Sequence, residues 1–188
     1  MKVLVAYASK YGATEGIAQR IGEGLRRRGH EVDVARCKDV SELSGFDAYV
    51  VGSATYEFNW RKDARKLVKR NVDELASHPV WLFSSGPVGT EEVDKEGNDV
   101  LKGAEPKQFG KYEELLHPRG TQVFRGAYDP DKIRGADRII VWMPAIREIM
   151  PEGDFRDWEA IDAWSLSIAD ELDAMAGIQR SDSAEGSG

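Results

Sequence analysis

Ser9, Lys10, Tyr11, Gly12, Ala13 and Thr14 put two aliphatic hydroxyls, a phenol, a cation and a glycine between an apolar run and a helical repeat. A turn of that kind at a helix start can aim successive backbone N–H groups at a phosphate, and the helix terminus adds favourable potential. Ser9 and Thr14 can donate hydroxyl hydrogen bonds. Gly12 permits a backbone conformation or a close approach that a side chain obstructs, and Lys10 can balance charge. Ser9 and Thr14 equally suit plain helix capping, and the local pattern leaves the two readings level. The three-glycine dinucleotide fingerprint is missing, as is the Gly-Lys-Ser/Thr ending of a triphosphate loop. A cofactor with a single phosphate is the better fit.

Two later stretches carry related chemistry. Gly52 is followed by Ser53, Ala54, Thr55, Tyr56, Glu57, Phe58, Asn59 and Trp60, a loop rich in aromatic residues. Such rings can stack on and shield a planar cofactor, or form a satellite core or partner patch. Ser84, Ser85, Gly86, Pro87, Val88 and Gly89 offer small residues whose backbone polar groups can border a heterocycle. The same residues also make ordinary hydroxyl turns. Glu57 and Arg61 either flank such a site or face solvent, and no residue compels assignment as a general base.

The elements that would position these loops alternate between strand and helix. Val3, Leu4, Val5 and Ala6 form a short continuous apolar run, the mark of a strand buried on both faces. Ile17, Ala18, Ile21 and Leu25 then recur at helical spacing, and Gly29 supplies the stop. Residues 31–35 read as an edge strand, 48–52 as a central strand, 64–75 as a helix, 80–83 as a fourth strand and 122–127 as a fifth. A last helix is expected over 158–175. Right-handed crossovers then give a three-layer, doubly wound α/β domain with a five-stranded parallel sheet. In such a sheet ligands bind outside the carboxyl ends of the strands, where the strand order reverses, and all three loops belong at that end. The domain is expected to span residues 1–177 with an insertion at 128–157, leaving 178–188 as a disordered polar tail.

Composition narrows the function classes. The 188 residues suffice for one domain with a sizeable core, and the net charge of −7 argues against nucleic acid. Cys37 is the sole cysteine and His30, His78 and His117 are scattered, so neither a disulfide nor a metal site is expected. Cys37 reads as an inert small hydrophobe. The first residues lack a secretory signal pattern, and no stretch approaches the roughly 20 apolar residues of a membrane span, so cytoplasm is expected.

The segment from Lys2 through Glu15, the run Val50-Val51-Gly52-Ser53-Ala54, and Asp157-Trp158-Glu159 resemble the flavodoxin superfamily. They are closest to the flavodoxin-like, quinone-dependent protoporphyrinogen oxidase family. The resemblance covers about residues 1–177. It implies a flavodoxin-like fold with FMN as cofactor. Ser9, Lys10, Tyr11, Gly12, Ala13 and Thr14 would surround its phosphate, while Ser53, Ala54, Thr55 and Tyr56, with residues 84–89, would approach the isoalloxazine ring. It further implies oxidation of protoporphyrinogen IX with a quinone acceptor, and peripheral contact with the inner face of the cell membrane.

Two alternatives stand beside that activity: an FMN electron carrier serving a redox-protein partner, and a nicotinamide-dependent quinone reductase. The apolar stretch at 139–150, interrupted by Pro144, is either a short amphipathic helix packed on the domain or a contact surface for substrate or membrane. Its acidic flanks weigh against stable binding to anionic lipid.

Overall fold

Along β1 (Lys2–Ala8) every residue from Val3 onward is buried, which requires layers on both sides of the strand. A computed structural model, describing residues 1–133 and 151–185, supplies those layers. β1 pairs in parallel with β2 (Glu31–Arg36) on one side and β3 (Ala48–Tyr56) on the other. β3 continues to β5 (Val80–Ser85), and β5 to β6 (Gly120–Phe124), giving the order β2-β1-β3-β5-β6. The strand order therefore reverses between β1 and β3, where a doubly wound sheet opens a crevice for ligands.

The two-residue period of the strands splits the interior into two cores. Val3, Val5, Val50 and Phe83 face α1 (Ala13–Arg27) and α6 (Trp158–Glu185). Leu4, Ala6, Tyr49, Val51 and Leu82 face the opposite layer. That layer is built from α2 (Lys62–Arg70), α3 (Val72–Ala76) and α5 (Gln108–Leu116), with the short α4 (Val100–Gly103) nearby. The predicted three-layer α/β sandwich and its five parallel strands are the observed ones.

Several boundaries differ for local reasons. The helix expected over 64–75 breaks at Asn71, whose side-chain amide donates to the Leu67 carbonyl at 2.7 Å and takes an acceptor the helix would otherwise use. The fifth strand stops at Phe124 because Arg125 turns out to bond the carbonyls of Gly89 and Glu91 at 2.7 and 2.6 Å. The chain resumes as β7 (Ala127–Tyr128), paired antiparallel with β8 (Gly153–Asp154). β3 runs beyond Gly52 to Tyr56 and folds back through a hairpin into β4 (Asn59–Trp60). Helix α6 continues to Glu185, past Gly177, where the sequence reading ends the ordered domain; residues 178–185 contain no glycine or proline to stop it. The apolar stretch at 139–150 lies outside the described residues.

α6 grips α1 along its length. Arg20 donates to both carboxylate oxygens of Asp162 at 2.6 and 2.5 Å. Arg28 reaches Asp170 at 2.7 Å and Asp173 at 2.9 Å. Just ahead of α6, Arg156 Nη1 donates to the Ala13 carbonyl at 3.3 Å. Its guanidinium occupies the space a Cβ at Gly16 would need, 2.3 Å away, so a larger residue at that turn of α1 would have to push the arginine aside.

Candidate functional site

The loop between β1 and α1 is held by its own atoms. Gly12 adopts φ +93°, a conformation that favours glycine, and its N–H donates to Ser9 Oγ at 3.0 Å. A Cβ here would meet nothing within 4 Å, so the glycine serves the turn and not a close approach. No side chain caps α1, so the capping reading of Ser9 and Thr14 fails. Thr14 lies fully buried, its hydroxyl 2.8 Å from that of Ser85. The first-turn amides carry the positive end of the helix dipole and can receive an anion.

The ends of β3 and β5 are knit by hydroxyls. Thr55 and Ser84 hydrogen-bond through their side chains, and Ser84 Oγ also donates to the Ser53 carbonyl at 3.3 Å. Ser53 Oγ accepts the Arg61 N–H at 2.9 Å. Ser53 and Ser84 are both fully buried, so their hydroxyls set the spacing of the strand ends. Ser84 and Ser85 belong to β5 itself and not to the loop after it.

These ends surround a cavity of about 570 Å³. Ser9, Lys10, Tyr11, Ala13, Thr14, Ala54, Thr55, Tyr56, Ser85, Gly86 and Val88 line it, drawn from all three predicted loops. Gly12, Ser53, Ser84, Pro87 and Gly89 do not line it. Gly12 and the two serines shape the loops behind the wall, and the Pro87 carbonyl accepts the Gly126 N–H at 2.8 Å. Sequence reasoning missed Gly126, Ala127, Tyr128 and Ile133, which add a fourth wall, and left Glu57 open, which also lines the cavity. The available signal was the glycine at 126, which breaks an otherwise strand-like stretch.

At the mouth, Tyr56 and Phe58 remain 46% and 52% exposed. Burial of the phenol pushes the Tyr56 pKa up, opposed by Arg61, whose guanidinium lies 6.0 Å from the ring centroid. Cys37 is buried away from the cavity, and burial lifts its thiol pKa to about 12, in keeping with an inert role.

Residues 4–151 match the flavodoxin-domain family. The chain belongs to that family. Three solved structures carry the same fold. Rubredoxin oxygen:oxidoreductase from the anaerobe Desulfovibrio gigas aligns at 16% identity and a TM-score of 0.59, over 92% of this chain and 36% of that one. A flavodoxin from the domain Archaea aligns at 19% identity and 0.57, over 92% and 99%. Oxidised flavodoxin 2 from Bacillus cereus aligns at 20% identity and 0.57, over 91% and 99%. The flavodoxin domain thus spans about a third of the first protein and nearly all of the other two.

FMN is the cofactor of this flavodoxin domain. The site fits it on its own terms. The cavity volume falls within the 300–1,000 Å³ or so usual for small-molecule pockets. It joins an uncapped helix terminus for a phosphate to a wall of tyrosine, valine and glycine for a flat ring. Among the described residues, no helix is long and apolar enough to cross a membrane.

Proposed function

We propose that this flavodoxin-domain protein is an FMN-dependent oxidoreductase that oxidises protoporphyrinogen IX, or a reduced organic molecule of similar bulk, with a quinone as acceptor. The observation that carries this reading is the fourth wall. Gly126, Ala127, Tyr128 and Ile133 add a further wall to the cavity beside the three loops, and the apolar surface of Ala127, Tyr128 and Ile133 suits a large ring system. The sequence resemblance to the quinone-dependent oxidases supports the same choice. A quinone acceptor would place the protein against the inner face of the cell membrane.

FMN, when bound, supplies the electron transfer, and the protein positions it and sets its surroundings. Residues 9–14 would hold the phosphate, chiefly through main-chain amides at the start of α1. Thr14 would take part through its N–H, and also through its hydroxyl where Ser85 is the donor of their shared hydrogen bond. Thr55, Tyr56, Ser85, Gly86 and Val88 would flank the ring. Tyr56, its phenol pKa raised, keeps its proton at neutral pH and borders the substrate entrance.

A second reading, an electron carrier for a redox-protein partner, draws on the exposed Tyr56 and Phe58 beside the cavity, since aromatic residues of this kind are enriched at protein interfaces. Anaerobic mixing of the FMN-loaded protein with protoporphyrinogen IX, followed by quinone, decides between them. The oxidase reading expects bleaching of the flavin absorbance by the porphyrinogen and its recovery with quinone. Bleaching only by a reduced redox protein, or only by a reduced nicotinamide, would replace it with the carrier or with a nicotinamide-dependent quinone reductase.

A further inference from the structure

A second, smaller cavity of about 200 Å³ adjoins the first at the ends of β1 and β2 and the start of α2. The two share Ser9 and Lys10. Lys10, Arg36, Lys38 and Arg61 line the second cavity, against the single carboxylate of Asp63. The fold accepts this crowding of positive charge although the chain carries a net charge of −7. Arg36 is partly neutralised within the protein. Arg36 reaches Glu15 at 3.0 Å and donates from Nε to the Tyr7 hydroxyl at 3.4 Å. Arg61 Nε is buried with no hydrogen-bond partner among the described residues. Cations gathered in a concavity focus their field on whatever enters it. Arg36 and Lys38 are exposed and Arg61 is half-buried, so an anion arriving from solvent can reach them.

We propose that this cavity is an anion subsite, holding a carboxylate or phosphate of the small molecule that donates electrons in the adjoining flavin cavity. Arg36, Lys38 and Arg61 would grip the anion, and the wall of Ser9 and Lys10 would set the distance from the anion to the flavin. The proposal rests on reading the larger cavity as the place where a small-molecule donor reacts. Two donor classes carry the required group: a tetrapyrrole with carboxylate side chains and a nicotinamide dinucleotide with phosphates.

The test uses the full chain loaded with FMN and inorganic pyrophosphate as probe, followed by calorimetry, so the result does not depend on the donor's identity. Wild-type protein should bind the probe. Lys38→Glu and Arg36→Gln should each weaken it by about tenfold or more, the loss of one charge-assisted hydrogen bond. Lys38→Arg should restore binding, and FMN affinity should stay within about twofold because the flavin keeps its own loop. In a second arm, flavin reduction is followed against donor concentration. The half-saturating concentration should rise in Lys38→Glu while the limiting rate holds. A rise for protoporphyrinogen assigns the anion to carboxylate, and a rise for the nicotinamide assigns it to phosphate. Absence of pyrophosphate binding, binding that survives both substitutions, a parallel loss of FMN, or a donor dependence that neither substitution moves overturns the subsite. Failure of protoporphyrinogen alone, with the probe still bound through Lys38, overturns only the oxidase reading.

Discussion

Thr14 and Ser85 share a buried hydrogen bond of 2.8 Å between side chains 71 residues apart in sequence. It ties the first turn of the cofactor helix to the end of β5, so the two sides of the flavin cavity are joined before any ligand arrives. Thr14→Val and Ser85→Ala should each destabilise the cofactor-free protein by about 1–3 kcal/mol, the cost of leaving the other hydroxyl buried and unbonded. The double variant should lose clearly less than the sum. Denaturant unfolding of the four proteins measures this coupling, and strict additivity would show that the hydroxyls do not depend on one another.

Gly12→Ala should act through the backbone. At φ +93° an alanine pays about 1–2 kcal/mol, although nothing stands within 4 Å of the added methyl. A relaxed loop would also misaim the first-turn amides. Fluorescence titration should therefore show weaker binding of FMN, with a smaller effect on riboflavin, which lacks the phosphate. Equal losses for both ligands would remove the phosphate from this loop.

The hairpin at the cavity mouth carries strain that can be relieved. Glu57 and Phe58 form its two-residue loop with φ +49° and +61°, where Asn-Gly is the favoured pair. Phe58→Gly should raise stability by about 0.5–1 kcal/mol once the added freedom of the unfolded chain is discounted. If the exposed ring serves a protein partner, electron exchange with that partner should slow in the same variant. A thermal melt and a reduction rate separate the two effects.

The Arg20–Asp162 pair should leave a pH signature. Its hydrogen bond with Arg20 holds the Asp162 carboxyl below the usual carboxylate range. A carboxylate with a depressed folded pKa stabilises fully above its unfolded value of about 3.9, and that contribution disappears as pH falls through the lower folded value. Asp162→Asn should therefore be less stable than wild type at neutral pH and converge with it in strong acid. A gap that persisted below both values would point to packing in place of charge.

The parts of this molecule written locally in its sequence were the parts that could be read from it. The uninterrupted run Val3 to Ala6, the repeat of Ile17, Ile21 and Leu25, and the small-residue loops at the strand ends carried the fold class and most of the cavity. Boundaries set by one side chain were not visible in any period: Asn71 capturing a carbonyl, or Arg125 leaving the sheet to bond Gly89 and Glu91. The same holds for Gly126, Ala127, Tyr128 and Ile133, which reach the cavity only because β7 pairs with β8 across a long insertion. Thr14 was legible as a cavity residue, but its hydroxyl partner was not, since nothing near residue 14 indicates Ser85.

The clamps from Arg156, Asp162 and Asp173 onto Ala13, Arg20 and Arg28 span 143, 142 and 145 residues of sequence. On a translating ribosome the cofactor loop emerges early, yet the helix that fastens it is made more than a hundred residues later. Closing contacts so distant in sequence is slow. A nascent chain stalled before Trp158 would expose Phe83 and Phe124, whose rings pack on Trp164 of α6, and so offer a chaperone a defined apolar patch.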